Sequence, residues 1–309
     1  MSVLSTVFPV FFMLGLGFAA RVNRWISQTQ RDGLNALVFT VLFPIMIFNL
    51  IFSASFQMQY AAVILYVLVI YLLAMLVGKL FSGFTGKEYS HFSNLLLATN
   101  EGGSVALPLY LSIVGHSSTT VIFDLAGTIV CFIILPILVQ KKTSGGTSLK
   151  EMLLNMISNS FVVSVALGLV MNFLGLYHIL EQSAFYELYT STVSMATGPI
   201  VGVILFGIGY DLKLDKETVK PVMKLMTLKT VYYALVIAGF FFLFPSLMAE
   251  KTFLLAVLIY FMSPTGFGLL PVISPLYQHK NDAAYASAYT SLYMIVTLVV
   301  FVFAAVFIA

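Results

Sequence analysis

Thr99-Asn100-Glu101-Gly102-Gly103-Ser104-Val105-Ala106-Leu107-Pro108 interrupts a hydrophobic run that extends from residue 92 to 115, and its glycines, charge and proline argue against an unbroken helix there. A second stretch, Met262-Ser263-Pro264-Thr265-Gly266-Phe267-Gly268-Leu269-Leu270-Pro271, interrupts the run 252–277 in the same manner. Laid over one another, the two place Gly103 on Gly266 and Pro108 on Pro271. Unwound backbone at membrane depth is tolerated only where it lines a cavity or is buried in protein. A matched pair of breaks in the two halves of a membrane protein therefore points to a binding site of the kind transporters use.

The surrounding composition makes the membrane the relevant solvent. Hydrophobic residues are 60% of the 309, and charged ones only 9%. Ten apolar stretches, near 4–22, 34–53, 59–82, 92–115, 118–139, 152–176, 188–209, 223–247, 252–277 and 283–308, have the roughly 17–25 residues needed to cross a hydrocarbon core of about 30 Å. The connections are short and leave no room for a soluble catalytic domain, so the chemistry is expected among the helices. Cys131 is the single cysteine and excludes an intrachain disulfide. The net charge of +3 reflects the loops and does not indicate nucleic-acid binding.

Those loops are strongly biased. The odd-numbered connections carry Arg21, Arg24 and Arg31; Lys79 and Lys87; Lys141, Lys142 and Lys150; Lys213, Lys216, Lys220, Lys224 and Lys229; and Lys280, while the even ones carry only Lys251. The positive-inside rule makes the odd side cytoplasmic, and ten spans then leave both termini extracytoplasmic in a plasma (inner) membrane. Arg21 and Arg24 follow the first apolar stretch and none precedes it, which reads as an uncleaved helix, not a signal peptide.

Similarity between the halves extends to Pro44 in the second stretch and Pro199 in the seventh, and to Gly127-Thr128 in the fifth against Thr290-Ser291 in the tenth. Five spans per repeat is an odd number, so the second copy inserts upside down. The expected fold is all-α integral membrane, ten transmembrane helices as two inverted five-helix repeats (1–140 and 151–309) joined by a cytoplasmic hinge at 141–150, with helices 4 and 9 broken and crossing.

The run Leu34-Asn35-Ala36-Leu37-Val38-Phe39-Thr40-Val41-Leu42-Phe43-Pro44, the segment from Asn100 to Pro108 followed by Leu109, and Asn159 with Gly168-Leu169 resemble the auxin efflux carrier family, which includes plant PIN-type carriers and bacterial malate permeases. The resemblance covers essentially the whole chain. It implies a scaffold of helices 1, 2, 6 and 7, a mobile transport unit of helices 3–5 and 8–10, and a homodimer joined through the scaffold. Two positions depart from the family pattern: Ser160 follows Asn159 where a proline is common, and Glu101 stands where an asparagine is usual.

Pro108 and Pro271 suit the first turn of half-helices starting at the breaks. The free N–H groups there would favour an anion by about 0.3–1 kcal/mol when exposed and about 2 when partly buried. Candidate binding residues are Asn100, Glu101, Gly102, Gly103, Pro108, Ser263, Thr265, Gly266, Pro271, Thr290 and Ser291. Glu101 costs about 2.5–3.5 kcal/mol to insert as a charge, so it is expected to bind a proton, a Na⁺ or a fixed partner. Asp124 is a second coupling candidate, on a small polar stripe with Thr128 and Cys131 whose counterpart is Ser287, Thr290, Ser291 and Thr297. Tight helix packing explains such stripes equally well. Asn49, Asn159 and Thr197 are expected to make interhelical hydrogen bonds, and Asp211 and Asp215 to lie on a solvated surface. The histidines show no metal-ligand spacing, and no cofactor motif or nucleophile–base pair appears, so no metal, cofactor or enzymatic activity is expected.

The expected function is a secondary transporter of small organic anions, mono- or dicarboxylates such as malate, working by an elevator-type movement in the lipid bilayer. The alternatives are a Na⁺-coupled carrier of larger amphipathic anions and a transporter-like sensor without flux.

Overall fold

The computed structural model describes residues 3–54, 59–115, 117, 119–143, 160–211, 219–266, 269–279 and 281–308. Most of the 141–150 connection, Asn159, Asp215, His116 and Gly268 lie outside them.

Each of the ten apolar stretches contains helix within its described residues, and no strand occurs among the described residues. The principal elements are α1 (Val3–Val22), α2 (Gln28–Phe52), α3 (Gln59–Leu80), α4 (Gly102–Val114), α5 (119–143), α6 (Ser160–Phe173), α7 (Tyr186–Asp211), α8 (Val219–Leu243), α9 (Lys251–Phe261) and α10 (Asp282–Phe307). Five of them, α2, α3, α7, α8 and α10, contain stretches long and apolar enough to cross a membrane by length and composition. The outer surface is apolar, with Met195 85% and Phe242 84% exposed, whereas Lys229, Ser263, Thr265 and Thr297 have no exposed surface. Greasy outside and polar within is the distribution lipid demands of a multi-pass membrane protein.

Prolines shape three helices in one way. Pro44, Pro108 and Pro136 each follow a five-residue π turn, at Val38–Leu42, Gly102–Ala106 and Val130–Ile134. A proline has no N–H for the carbonyl four residues back, and its ring collides with that group. The chain widens instead: Phe43 N–H bonds Val38 O, Leu107 N–H bonds Gly102 O and Leu135 N–H bonds Val130 O, each reaching back five residues. Pro199 acts differently from Pro44, because it falls in a turn that divides Tyr186–Thr197 from Ile200–Asp211.

α1 packs along the second half of α7 and α6 along the second half of α2. The first pair approaches backbone to backbone: a Cβ on Gly17 would collide with Phe206 O, and one on Gly209 with Leu14 O. In the second pair Gly168 admits Ile51, and Asn172 Nδ2 donates to Ile51 O, Phe52 O and Ala54 O at 3.1, 2.8 and 2.8 Å, closing the carbonyl end of α2. α3 packs on α5, α5 on α9, and α8 on α9 and α10. α7 and α2 also meet α4 and the region around its break.

Candidate functional site

The two interrupted segments meet. Before the first break the chain makes a 3₁₀ turn at Ser93–Leu97, runs without helix through Thr99–Asn100–Glu101, and rewinds at Gly102. The second segment leaves α9 at Phe261, extends through Pro264, Thr265 and Gly266, and rewinds at Leu269–Ile273. Glu101 N–H donates to Pro264 O at 2.7 Å, so each break satisfies part of the other's backbone. Gly266 permits the approach: a Cβ there would lie 3.1 Å from Thr99 Oγ1.

Lys229 of α8 reaches into this junction with no exposed surface. Its Nζ donates to Thr99 O and to Thr265 Oγ1, both at 3.3 Å, and lies 5.3 and 5.0 Å from the ring centres of Tyr233 and Tyr293. One ammonium thus bonds a carbonyl freed by the first break and a hydroxyl of the second. Thr265 in turn donates to Leu96 O, Tyr233 to Leu97 O at 2.6 Å, and Thr297 to Met262 O at 2.7 Å, so the unwound strands are held from several sides. The charge tally of the loops changes accordingly. Lys229 does not belong to the connection before α8; it is an interior lysine.

Glu101 is where the expectation needs most correction. Its carboxylate caps α4, accepting from Ser104 N–H at 3.0 Å and from the Ser104 hydroxyl. The positive end expected to receive a ligand anion is held by the protein's own carboxylate. Winding also begins at Gly102, ahead of Pro108, which lies in the first turn of the α-helical part. Pro271 lies inside the described helical turn Leu269–Ile273 and not at its first residue.

Asp124 of α5 lies against Gly102, where a Cβ would collide with both carboxylate oxygens. Tyr260 of α9 donates to Asp124 Oδ1 at 2.9 Å, and Tyr71 of α3 donates to the Tyr260 hydroxyl at 3.0 Å. Asn100, 5% exposed, faces the Tyr71 hydroxyl. Glu101, Asp124 and Lys229 therefore share the junction, with Glu101 exerting its field on both of the others.

The other named residues divide. Asn100, Glu101, Gly102, Gly103, Thr265 and Gly266 are brought together at the junction with Asp124. Ser263 is buried and donates to Tyr260 O at 2.7 Å, a local bond within its own segment. Thr290 and Ser291 instead line a cavity of about 320 Å³ beside the junction, with Arg31, Asn35, Phe39, Ser104, Asp211 and Ser287 among its other walls. Ser104 belongs to both places, since it bonds Glu101 and lines the cavity. Arg31 forms an ion pair with Asp211 there, so Asp211 is a wall of a cavity and not simply part of a solvated surface. Thr128 and Thr290 bond the carbonyls four residues back, Asp124 O and Ala286 O, which accounts for much of the polar stripes locally.

A second cavity, of about 370 Å³, opens from the opposite ends of α2, α4 and α7 and is lined by Asn49, Ser112 and Thr197 among others. Asn49 also accepts from Tyr189 at 2.9 Å, the interhelical bond expected of it.

Lys229, Tyr260, Tyr71, Arg31 and Ser104 were not singled out by sequence. Lys229 had a signal: it falls on the buried stripe Val222, Met226, Lys229, Tyr233, Val236, Phe240, at spacings of three and four. Among the described residues no cluster of acidic, histidine or cysteine side chains has the arrangement of a metal site. No protein-family profile and no curated protein sequence matches the chain.

Proposed function

We propose that this chain is a secondary transporter of small organic anions, with mono- and dicarboxylates such as malate as the substrate class. The observation that carries the reading is the meeting of two broken segments, one from each half of the chain, around the buried Lys229 ammonium. Cavities reaching the same seam from its two ends support it, because a carrier needs an approach from each face. The cavity beside Ser104 is at the small end of the range of about 300–1,000 Å³ typical of ligand pockets, and its hydroxyls suit a carboxylate, which would share the Arg31 guanidinium with Asp211. The ten-span inverted repeat, the cytoplasmic assignment of the Arg31 end, the scaffold of α1, α2, α6 and α7 and the likeness to the auxin efflux carriers belong to this proposal.

The cap on α4 provides a route to coupling. While Glu101 is ionised and bonded to Ser104, it repels an arriving carboxylate and holds the Ser104 N–H and hydroxyl that would bind it. Protonation removes the charge and frees those donors, so one proton moves with one anion. Lys229 already fills the position between Thr99 O and Thr265 Oγ1 that a metal cation would use, which favours a proton over Na⁺.

The test is counterflow uptake of labelled malate into proteoliposomes loaded with unlabelled carboxylates. Specific uptake, stimulated by internal carboxylate, is the expected result. Absence of uptake by folded protein would remove the substrate class. Glu101→Gln is expected to abolish the pH dependence of exchange; an unchanged profile, with Na⁺ still without effect, would refute the coupling role.

A further inference from the structure

The two cavities share α2, α4 and α7 as walls, the first being bounded also by Leu270 and α10, and they have no lining residue in common. α2 contributes Phe39 to one and Met46 to the other, with Phe43 between them on the same helical face. α7 contributes Ile204 to one and Val201 to the other, residues one turn apart, a rise of about 5 Å. The partition spans about one turn of α7 but about two turns, roughly 10 Å, of α2 and of α4, and Phe43, only 4% exposed, lies midway along its α2 part.

What Phe43 presses on is the first break. A Cβ on Gly103 would stand 2.6 Å from Phe43 Cζ, closer than any real contact, so the ring rests on bare backbone. Phe39 braces the ring from the first cavity, edge to face at 5.6 Å between centres. A flat, rigid side chain against a glycine gives a close contact with no side chain on the facing surface to interlock with it.

We propose that Phe43 is the seal between the two cavities: its ring on Gly103 keeps the seam from becoming a continuous aqueous path, and so makes the protein a carrier and not a pore. The proposal rests on the transporter reading for its biological meaning, but the leak it forbids is measurable without any substrate.

The experiment reconstitutes wild type and Phe43→Ala in parallel and follows release of labelled xylitol, an uncharged polyol, from the proteoliposomes. Malate counterflow is measured on the same preparations. Wild type is expected to retain xylitol, and Phe43→Ala to release it severalfold faster. Release at the wild-type rate from a variant that elutes as folded protein overturns the seal, whether or not counterflow is seen. Wild type lacking counterflow while Phe43→Ala leaks leaves the seal standing and removes the carrier.

Phe43→Cys gives the second readout and serves if the alanine variant does not fold. It is expected to leak, and reaction with benzyl methanethiosulfonate, which restores a ring at that position, is expected to suppress the leak. The only native cysteine, Cys131, is buried, so the same reagent on wild type is the control. Failure of the cysteine variant to leak, or a leak that the benzyl group does not reduce, overturns the proposal.

Discussion

Removing the Lys229 ammonium from water costs several kcal/mol, which two hydrogen bonds, two tyrosine faces and the field of Glu101 offset. Replacing a buried ion by an apolar side chain of similar volume is often tolerated, so Lys229→Met is expected to fold, with thermal unfolding in detergent shifted by no more than about 2 kcal/mol in equivalent stability. Its transport is expected to fall roughly ten- to a hundredfold, the equivalent of one lost charge-assisted bond of about 1.5–3 kcal/mol, measured as malate counterflow. Near-normal transport would make Lys229 a structural pin alone. Tyr260 provides the opposite case. Tyr260→Phe removes the tyrosine hydroxyl that donates to the buried Asp124 side chain and is expected to cost about 1–3 kcal/mol, read by the same unfolding assay. Lys229 is marked in the sequence only by its place on an apolar stripe, and Tyr260 by nothing. Asp124 and Tyr260 are 136 positions apart, and only the packing of α5 on α9 makes them a pair.

At the scale of the helix, an all-α membrane protein with long apolar helices was legible because lipid imposes a minimum apolar length, which five helices meet, and both breaks were legible because glycine and proline are poor fillers of a continuous span. Where winding resumes was not. Pro108 marks the α-helical turn, but the π turn before it moves the start of α4 to Gly102 and hands the cap to Glu101, a result that depends on Ser104 being in reach. Nor does sequence distinguish a glycine that admits a neighbour from one that faces lipid. Gly17→Ala is expected to destabilise the α1–α7 pair by about 1–3 kcal/mol or more, because the obstructing atoms are backbone and cannot turn aside. Gly15→Ala, with nothing within 4 Å of its added carbon, is the matched control and is expected to be neutral or mildly stabilising. Comparable losses for both in the unfolding assay would contradict the close crossing.

For the molecule as a whole, the two cavities give the proposed orientation a direct check. A cysteine at Ser291 is expected to react with a membrane-impermeant thiol reagent only in inside-out vesicles, and one at Ser112 only in right-side-out vesicles, against the low background of buried Cys131. The reverse pattern would invert the topology and move the clustered lysines outside. The joined breaks also set an order of events during synthesis. Glu101 N–H finds its acceptor on Pro264, 163 positions later in the chain, and the carbonyl of Thr99 waits for Lys229. At a ribosome's pace of about 5–20 residues per second, roughly 8–30 s separate the emergence of the two partners. Throughout that interval the first half of the protein carries a stretch of backbone that lipid cannot solvate, and the insertion machinery has to shelter it until the second half arrives.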